Sequence, residues 1–77
     1  MDIRVAIGLN VQRIRRELGL SQEELSFRSG FTRGYISSLE AGRRNITILS
    51  LVKLADSLGT SVDQLIRTPN GRRAEGV

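Results

Sequence analysis

Arg33, Gly34, Ser37 and Ser38 fall at i, i+1, i+4 and i+5, so on a helix they share one face. That face carries a forked cation, a gap, two small hydroxyls and no acid. Such a surface can enter the major groove of duplex DNA. An arginine fork pairs with guanine O6 and N7, or grips a phosphate. Gly42-Arg43-Arg44-Asn45 follows directly, and two arginines and an asparagine in a loop at a helix end can clamp phosphates. Gln22 and Glu23 open another short helix. Free N–H groups and the helix dipole attract a phosphate there, and the Gln22 amide can add a hydrogen bond. A merely solvated helix face is the competing explanation, but solvated faces are usually richer in Glu and Lys.

Other chemistries find little material. The 77 residues contain no His, which removes the commonest metal ligand and acid–base catalyst. They contain no Cys, which removes disulfides and thiolate metal sites. There is no nucleotide loop, nucleophile–base pair or metal constellation. The expectation is a protein that is not an enzyme and uses no cofactor and no metal.

Charge agrees with a nucleic-acid partner without requiring one. Twelve Lys+Arg stand against eight Asp+Glu, a net +4, and Lys53 is the only Lys. Residues 1–48 hold eight Arg and five acids, so most of the excess lies in the part that carries the arginine face. A charge of this size can also serve solubility alone. Met1-Asp2-Ile3-Arg4 begins no export signal, and the apolar stretch from Ile46 to Leu58 is broken by Lys53 and Asp56. A cytoplasmic protein is expected.

The elements that must position this face are all helices. No alternating strand pattern occurs. Ile7, Val11, Ile14 and Leu18 make the inner face of a first helix, which Gly19 ends. Ser21-Gln22-Glu23-Glu24 is a capping box that starts a second helix, stopped at Gly30. Thr32 caps a third, with Phe31 and Ile36 at staple spacing, and Gly42 ends it. Thr47 caps a fourth, with Ile48, Leu51, Ala55 and Leu58 inside and Gly59 closing it. Ser61-Val62-Asp63-Gln64 is a second capping box for a short fifth helix, with Val62, Leu65 and Ile66 inside. Pro69 and Gly71 forbid continuation. Residues 1–67 are expected to form one all-α domain and 68–77 a polar, disordered tail.

Two short helices joined by a glycine-containing turn define a helix-turn-helix. Leu25 and Ile36 can bury against each other, and small Ser26 lets the third helix cross close to the second. From Val11 to Ile66 the chain resembles the Cro/repressor-type, or xenobiotic-response-element, family. The matching residues are Arg15, Leu18-Gly19-Leu20-Ser21-Gln22-Glu23-Glu24-Leu25, Gly30, Tyr35-Ile36-Ser37, Leu39-Glu40, Gly42, Leu54-Ala55 and Leu58-Gly59. The string Arg33-Gly34-Tyr35-Ile36-Ser37 followed by Arg44-Asn45-Ile46-Thr47-Ile48 is similar to restriction–modification controller proteins.

The resemblance implies a compact five-helix bundle of the phage-repressor type, a homodimer and a palindromic operator on double-stranded DNA. It implies base-reading positions at Thr32, Arg33, Gly34, Ser37 and Ser38, a phosphate contact by Gln22, and an inward ion pair between Arg15 and Glu40. Tyr35 can offer its hydroxyl to a phosphate, or serve structure alone. Arg43, Arg44 and Asn45 are the loop's phosphate candidates. Ser26 departs mildly from the family's usual Ala, Phe27 reads as a lone exposed aromatic, and Gly34 lacks a base-reading side chain. The dimer surface is expected on helix five with part of helix four, where Leu65, Ile66 or Val62 stays partly exposed. The function expected is a sequence-specific transcriptional regulator, which can bring RNA polymerase as a further partner. An antitoxin-type autorepressor, with a toxin as second partner, and an interaction module that has lost DNA binding are the alternatives.

Overall fold

The computed structural model describes residues 2–68. Five helices follow in order: α1 Ile3–Glu17, α2 Gln22–Ser29, α3 Arg33–Glu40, α4 Ile48–Leu58 and α5 Val62–Ile66. Each begins on a side-chain cap. Asp2, Ser21, Thr32, Thr47 and Ser61 stand in extended conformation, and their oxygens accept from the backbone N–H of Arg4, Glu24, Tyr35, Ser50 and Gln64 respectively. Each cap contributes about 1 kcal/mol to helices too short to persist alone. The box at Ser21 is complete, because Glu24 Oε1 accepts the Ser21 N–H at 2.9 Å. At Ser61 only the forward bond forms, at 3.2 Å, so the second box expected from sequence is a simple cap.

Two positions expected inside lie outside. Leu18 is half exposed. It is the C-cap of α1, next to Gly19, whose φ of +71° swings the chain round. The Leu20 N–H then donates to Arg15 O and the Gly19 N–H to Arg16 O, a Schellman closure. That turn carries Leu20 into the core in place of Leu18. Ile48 is 79% exposed. The buried stripe of α4 is Leu51, Leu54, Ala55 and Leu58, and the residue that packs ahead of it is Ile46. Ile46 precedes the Thr47 cap and Leu51 sits four positions into the helix, the spacing of a hydrophobic staple.

The core joins Ile7, Val11 and Ile14 of α1 to Leu25 of α2, Ile36 and Leu39 of α3, the α4 stripe, and Leu65 of α5. Val11, Leu25, Ile36, Leu39, Leu54 and Leu65 are sealed from solvent. Each such side chain contributes roughly 1.5–3 kcal/mol by burial. Val62 and Ile66 only lean on this core. Helix α1 packs on α3 and α5, and α2 packs on α3 and α4. Gly8 sits where α1 and α3 cross. A Cβ there would stand 2.5 Å from Leu39 O and 2.8 Å from Glu40 O, so no side chain fits.

Packing against the bundle reaches Thr68, the last of the described residues. Asn10, buried in α1, donates through Nδ2 to Leu65 O at 2.9 Å and also to Arg67 O. These bonds satisfy carbonyls that the short α5 leaves open. Thr68, on the tail side of the expected boundary, is buried. The rest of the expected tail, 69–77, lies outside the described residues.

Candidate nucleic-acid interface

The turn between α2 and α3 is fixed by hydroxyls. Gly30 closes α2 at φ +80°. Ser26 Oγ donates to Phe31 O at 2.5 Å, and the Phe31 N–H donates to Ser29 Oγ at 3.2 Å. Ser26 thus does more than stay small: it ties α2 to the entry of α3. Thr32 Oγ1 accepts the Tyr35 N–H at 3.0 Å, which leaves its own hydrogen free to donate outward. With Ile36 and Leu39 buried, Arg33, Gly34 and Ser37 stand exposed and Ser38 half-buried. No atom comes within 4 Å of a Cβ built on Gly34, so the outer face has an open notch there.

Behind that face lies a buried network. Arg15 Nε donates to Glu40 Oε2 at 2.6 Å and Nη2 to Oε1 at 2.9 Å, while Nη1 donates to Leu20 O at 2.8 Å. The Glu40 hydrogen bond raises the Arg15 pKa further above its ordinary value. Glu40 therefore turns inward and does not face an approaching polyanion. Gln22 Nε2 also donates to Glu40 Oε1, at 3.0 Å. One of its two amide hydrogens is thus held by Glu40 and the other remains available. Sequence alone gives no sign of the Gln22–Glu40 bond, because the partners lie eighteen residues apart. Arg15, Ser21, Gln22, Glu23 and Arg33 line a groove of about 400 Å³ between the starts of α2 and α3. Capping also anchors Glu24. The Ser21 backbone N–H holds its carboxyl below the usual glutamate range.

The loop after α3 carries Arg43, Arg44 and Asn45, all exposed. Arg44 stands over the Tyr35 ring at 4.9 Å from its centroid. Tyr35 stacks on Phe31, with centroids 4.6 Å apart and 18° between planes. Lys53 Nζ covers the Phe31 ring at 4.9 Å. Phe31 and Lys53 are not among the site residues read from sequence. The Phe31–Tyr35 spacing hints at a shared helix side, but nothing in the sequence points to Lys53.

The cations divide into two groups. Arg4, Arg13, Arg15 and Arg67 are ion-paired with Asp2, Glu17, Glu40 and Asp63. Among the described residues Arg16, Arg28, Arg33, Arg43, Arg44 and Lys53 make no ion pair or side-chain hydrogen bond. Three of these six open cations, Arg33, Arg43 and Arg44, lie on α3 and its following loop.

Comparison with known proteins adds a family. The helix-turn-helix family matches residues 11–65. The chain is 51% identical, over 95% of its length and 100% of the other, to an HTH-type transcriptional regulator of Sinorhizobium fredii. It is 40% identical to the control protein C.SmaI of Serratia marcescens, over 99% of this chain and 90% of that one. Among solved structures, a hypothetical transcription factor from Neisseria superposes with TM-score 0.85 at 36% identity, covering 90% of this chain and 79% of the other. The restriction–modification controller C.AhdI of Aeromonas hydrophila gives 0.77 at 37% identity, covering 80% and 94%. The biofilm regulator SinR, in complex with DNA, gives 0.73 at 35%, covering 77% and 95%.

Proposed function

This chain belongs to the helix-turn-helix family, and from that premise we propose that it is a transcriptional regulator that reads a palindromic operator as a homodimer. The observation that carries the reading is the placement of three open cations. Arg33, Arg43 and Arg44 gather on α3 and its loop with no acid paired to them, while Glu40, the one acid of α3, is turned into the core. Arg33 reads bases from the first turn of α3, and Thr32, Ser37 and Ser38 add shorter contacts. Gln22, Tyr35, Arg43, Arg44 and Asn45 hold phosphates on either side. Gly34 offers DNA a notch in place of a side chain, so groove shape contributes to recognition there.

The dimer follows from the same economy. One short helix makes few base contacts, and two-fold symmetry doubles them. Half-site centres then lie about 34–36 Å apart, one helical turn. Leu65 is sealed in the core and takes no part in the contact. Ile48, Leu49 and Val52 of α4 expose apolar surface that water disfavours, and with Val62 and Ile66 they supply the dimer face. Selection of bound sites from random duplex DNA tests both parts. Enrichment of a palindrome is the expected result. A single unsymmetrical site refutes the dimer, and no enrichment at all refutes sequence-specific binding.

A further inference from the structure

We infer that Phe31 and Lys53 are positioning residues of the DNA interface: stacked with Tyr35, they present Arg44 to a phosphate with its N–H edges unoccupied. The inference rests on the DNA-binding reading above. Four side chains form one column, with Lys53 on Phe31, Phe31 on Tyr35 and Arg44 on Tyr35. They come from four successive places, since Phe31 lies in the α2–α3 turn, Tyr35 in α3, Arg44 in the following loop and Lys53 in α4. The column thus ties the recognition helix to the loop that follows it.

A guanidinium can be held in two ways. A carboxylate holds it by its N–H edge and uses the donors that a phosphate needs. A ring holds it by its face and leaves all five donors pointing outward. Arg44 is held in the second way, and among the described residues it has no acid partner. Among the described residues the neighbouring Arg43 has neither restraint. Arg44 therefore loses less side-chain freedom on meeting DNA. Phe31 stacks on the Tyr35 ring and fixes where that ring lies. Lys53 fixes Phe31 in turn. Its Nζ lies against the turn itself, where a Cβ on Gly30 would stand 3.2 Å from it. The two cations cover different rings of the column, Arg44 that of Tyr35 and Lys53 that of Phe31.

The test is a set of double-mutant cycles, with binding to a short random-sequence duplex as the readout. Phe31→Leu keeps an apolar residue but breaks the stack, and is expected to weaken binding about two- to fivefold. The same loss is expected in an Arg43→Ala background and none in an Arg44→Ala background. Phe31→Tyr, which can still stack, retains wild-type affinity. An equal loss in the Arg44→Ala background overturns the inference and leaves Phe31 a structural residue. Should Phe31→Leu fail to fold by circular dichroism, Tyr35 decides. It is the only Tyr and the chain has no Trp, so its emission reports on the column alone. Arg44→Ala uncovers one ring face and is expected to raise quenching of that emission by acrylamide. Unchanged quenching overturns the inference. A wild-type protein that binds no duplex refutes the DNA-binding reading and this inference together, whereas binding with additive cycles refutes this inference alone.

Discussion

Arg15 of α1 and Glu40 of α3 meet at two points, Nε to Oε2 at 2.6 Å and Nη2 to Oε1 at 2.9 Å, with both side chains nearly closed to solvent. Gln22 of α2 joins the same carboxylate. One buried acid therefore fixes the angle of α3 against α1 and α2. Removing one partner strands a charge, whereas removing both does not. Glu40→Ala is expected to cost about 3–5 kcal/mol, and Arg15→Met with Glu40→Met together far less. Thermal unfolding of the three variants measures this. A double variant as unstable as Glu40→Ala contradicts it.

Two glycines in helices should respond oppositely to alanine. Helix propensity favours Ala over Gly by about 1 kcal/mol at either site. At Gly34 no atom opposes a methyl group, so Gly34→Ala should raise the melting temperature. At Gly8 the methyl would meet two backbone carbonyls of α3, and overpacking of this kind costs about 1–3 kcal/mol. Gly8→Ala should therefore lower the melting temperature. If Gly34→Ala weakens DNA binding while stabilising the fold, close approach of DNA is the remaining cause.

Arg33 is the one long donor on the outer face of α3, flanked by Gly34, Ser37 and Ser38. A bidentate arginine discriminates between bases by roughly 1–3 kcal/mol. Arg33→Ala should relax one position in each half-site, a G·C pair, and reduce random-sequence affinity much less. Titration against every single-base variant of the selected operator checks this. Uniform loss across all variants would assign Arg33 to a phosphate.

Arg43 is exposed in the loop past α3 and touches no acid of the chain among the described residues. Arg43→Ala should weaken binding to all sequences alike and lower the slope of log affinity against log salt by about one. A change in sequence preference with an unchanged slope would count against a phosphate contact.

The Glu24 carboxyl has its pKa lowered by the Ser21 backbone N–H, then by the Ser21 hydroxyl. A depressed carboxylate stabilises the fold fully above its ordinary range, and that stabilisation is lost as pH falls through the lower, folded-state value. Glu24→Gln can still accept from Ser21 but cannot titrate. The gap in stability between wild type and Glu24→Gln should narrow on acidification. A gap that stays constant across the acid range would mean that Glu24 acts only by its hydrogen bond.

The five helices were legible because their signals are local. Ser21, Thr32, Thr47 and Ser61 each bond a backbone N–H three residues on, and the glycines that end α1 to α4 act within the same turn. Short-range bonds of this kind do not depend on the rest of the chain. The alignment of Arg33, Gly34, Ser37 and Ser38 on one face follows from helical periodicity once Ile36 and Leu39 are inside. Leu18 and Ile48 were misplaced for the complementary reason. Both lie at helix ends, where periodicity competes with the path of the chain, and Leu20 and Ile46 took the inner positions.

By itself, then, the sequence determined the number, order and type of elements, the turn between α2 and α3, and the face that carries Arg33. Tertiary structure decided what depends on residues far apart in the chain. It brought Gln22 to Glu40, pressed Gly8 against the carbonyls of α3, and set Lys53 of α4 on Phe31 at one end of the column that ends in Arg44. A cap is specified by one hydroxyl and the next turn of backbone. A stack of four side chains from four segments exists only where the whole core has fixed the distances between the helices, and no periodicity along the chain encodes those distances.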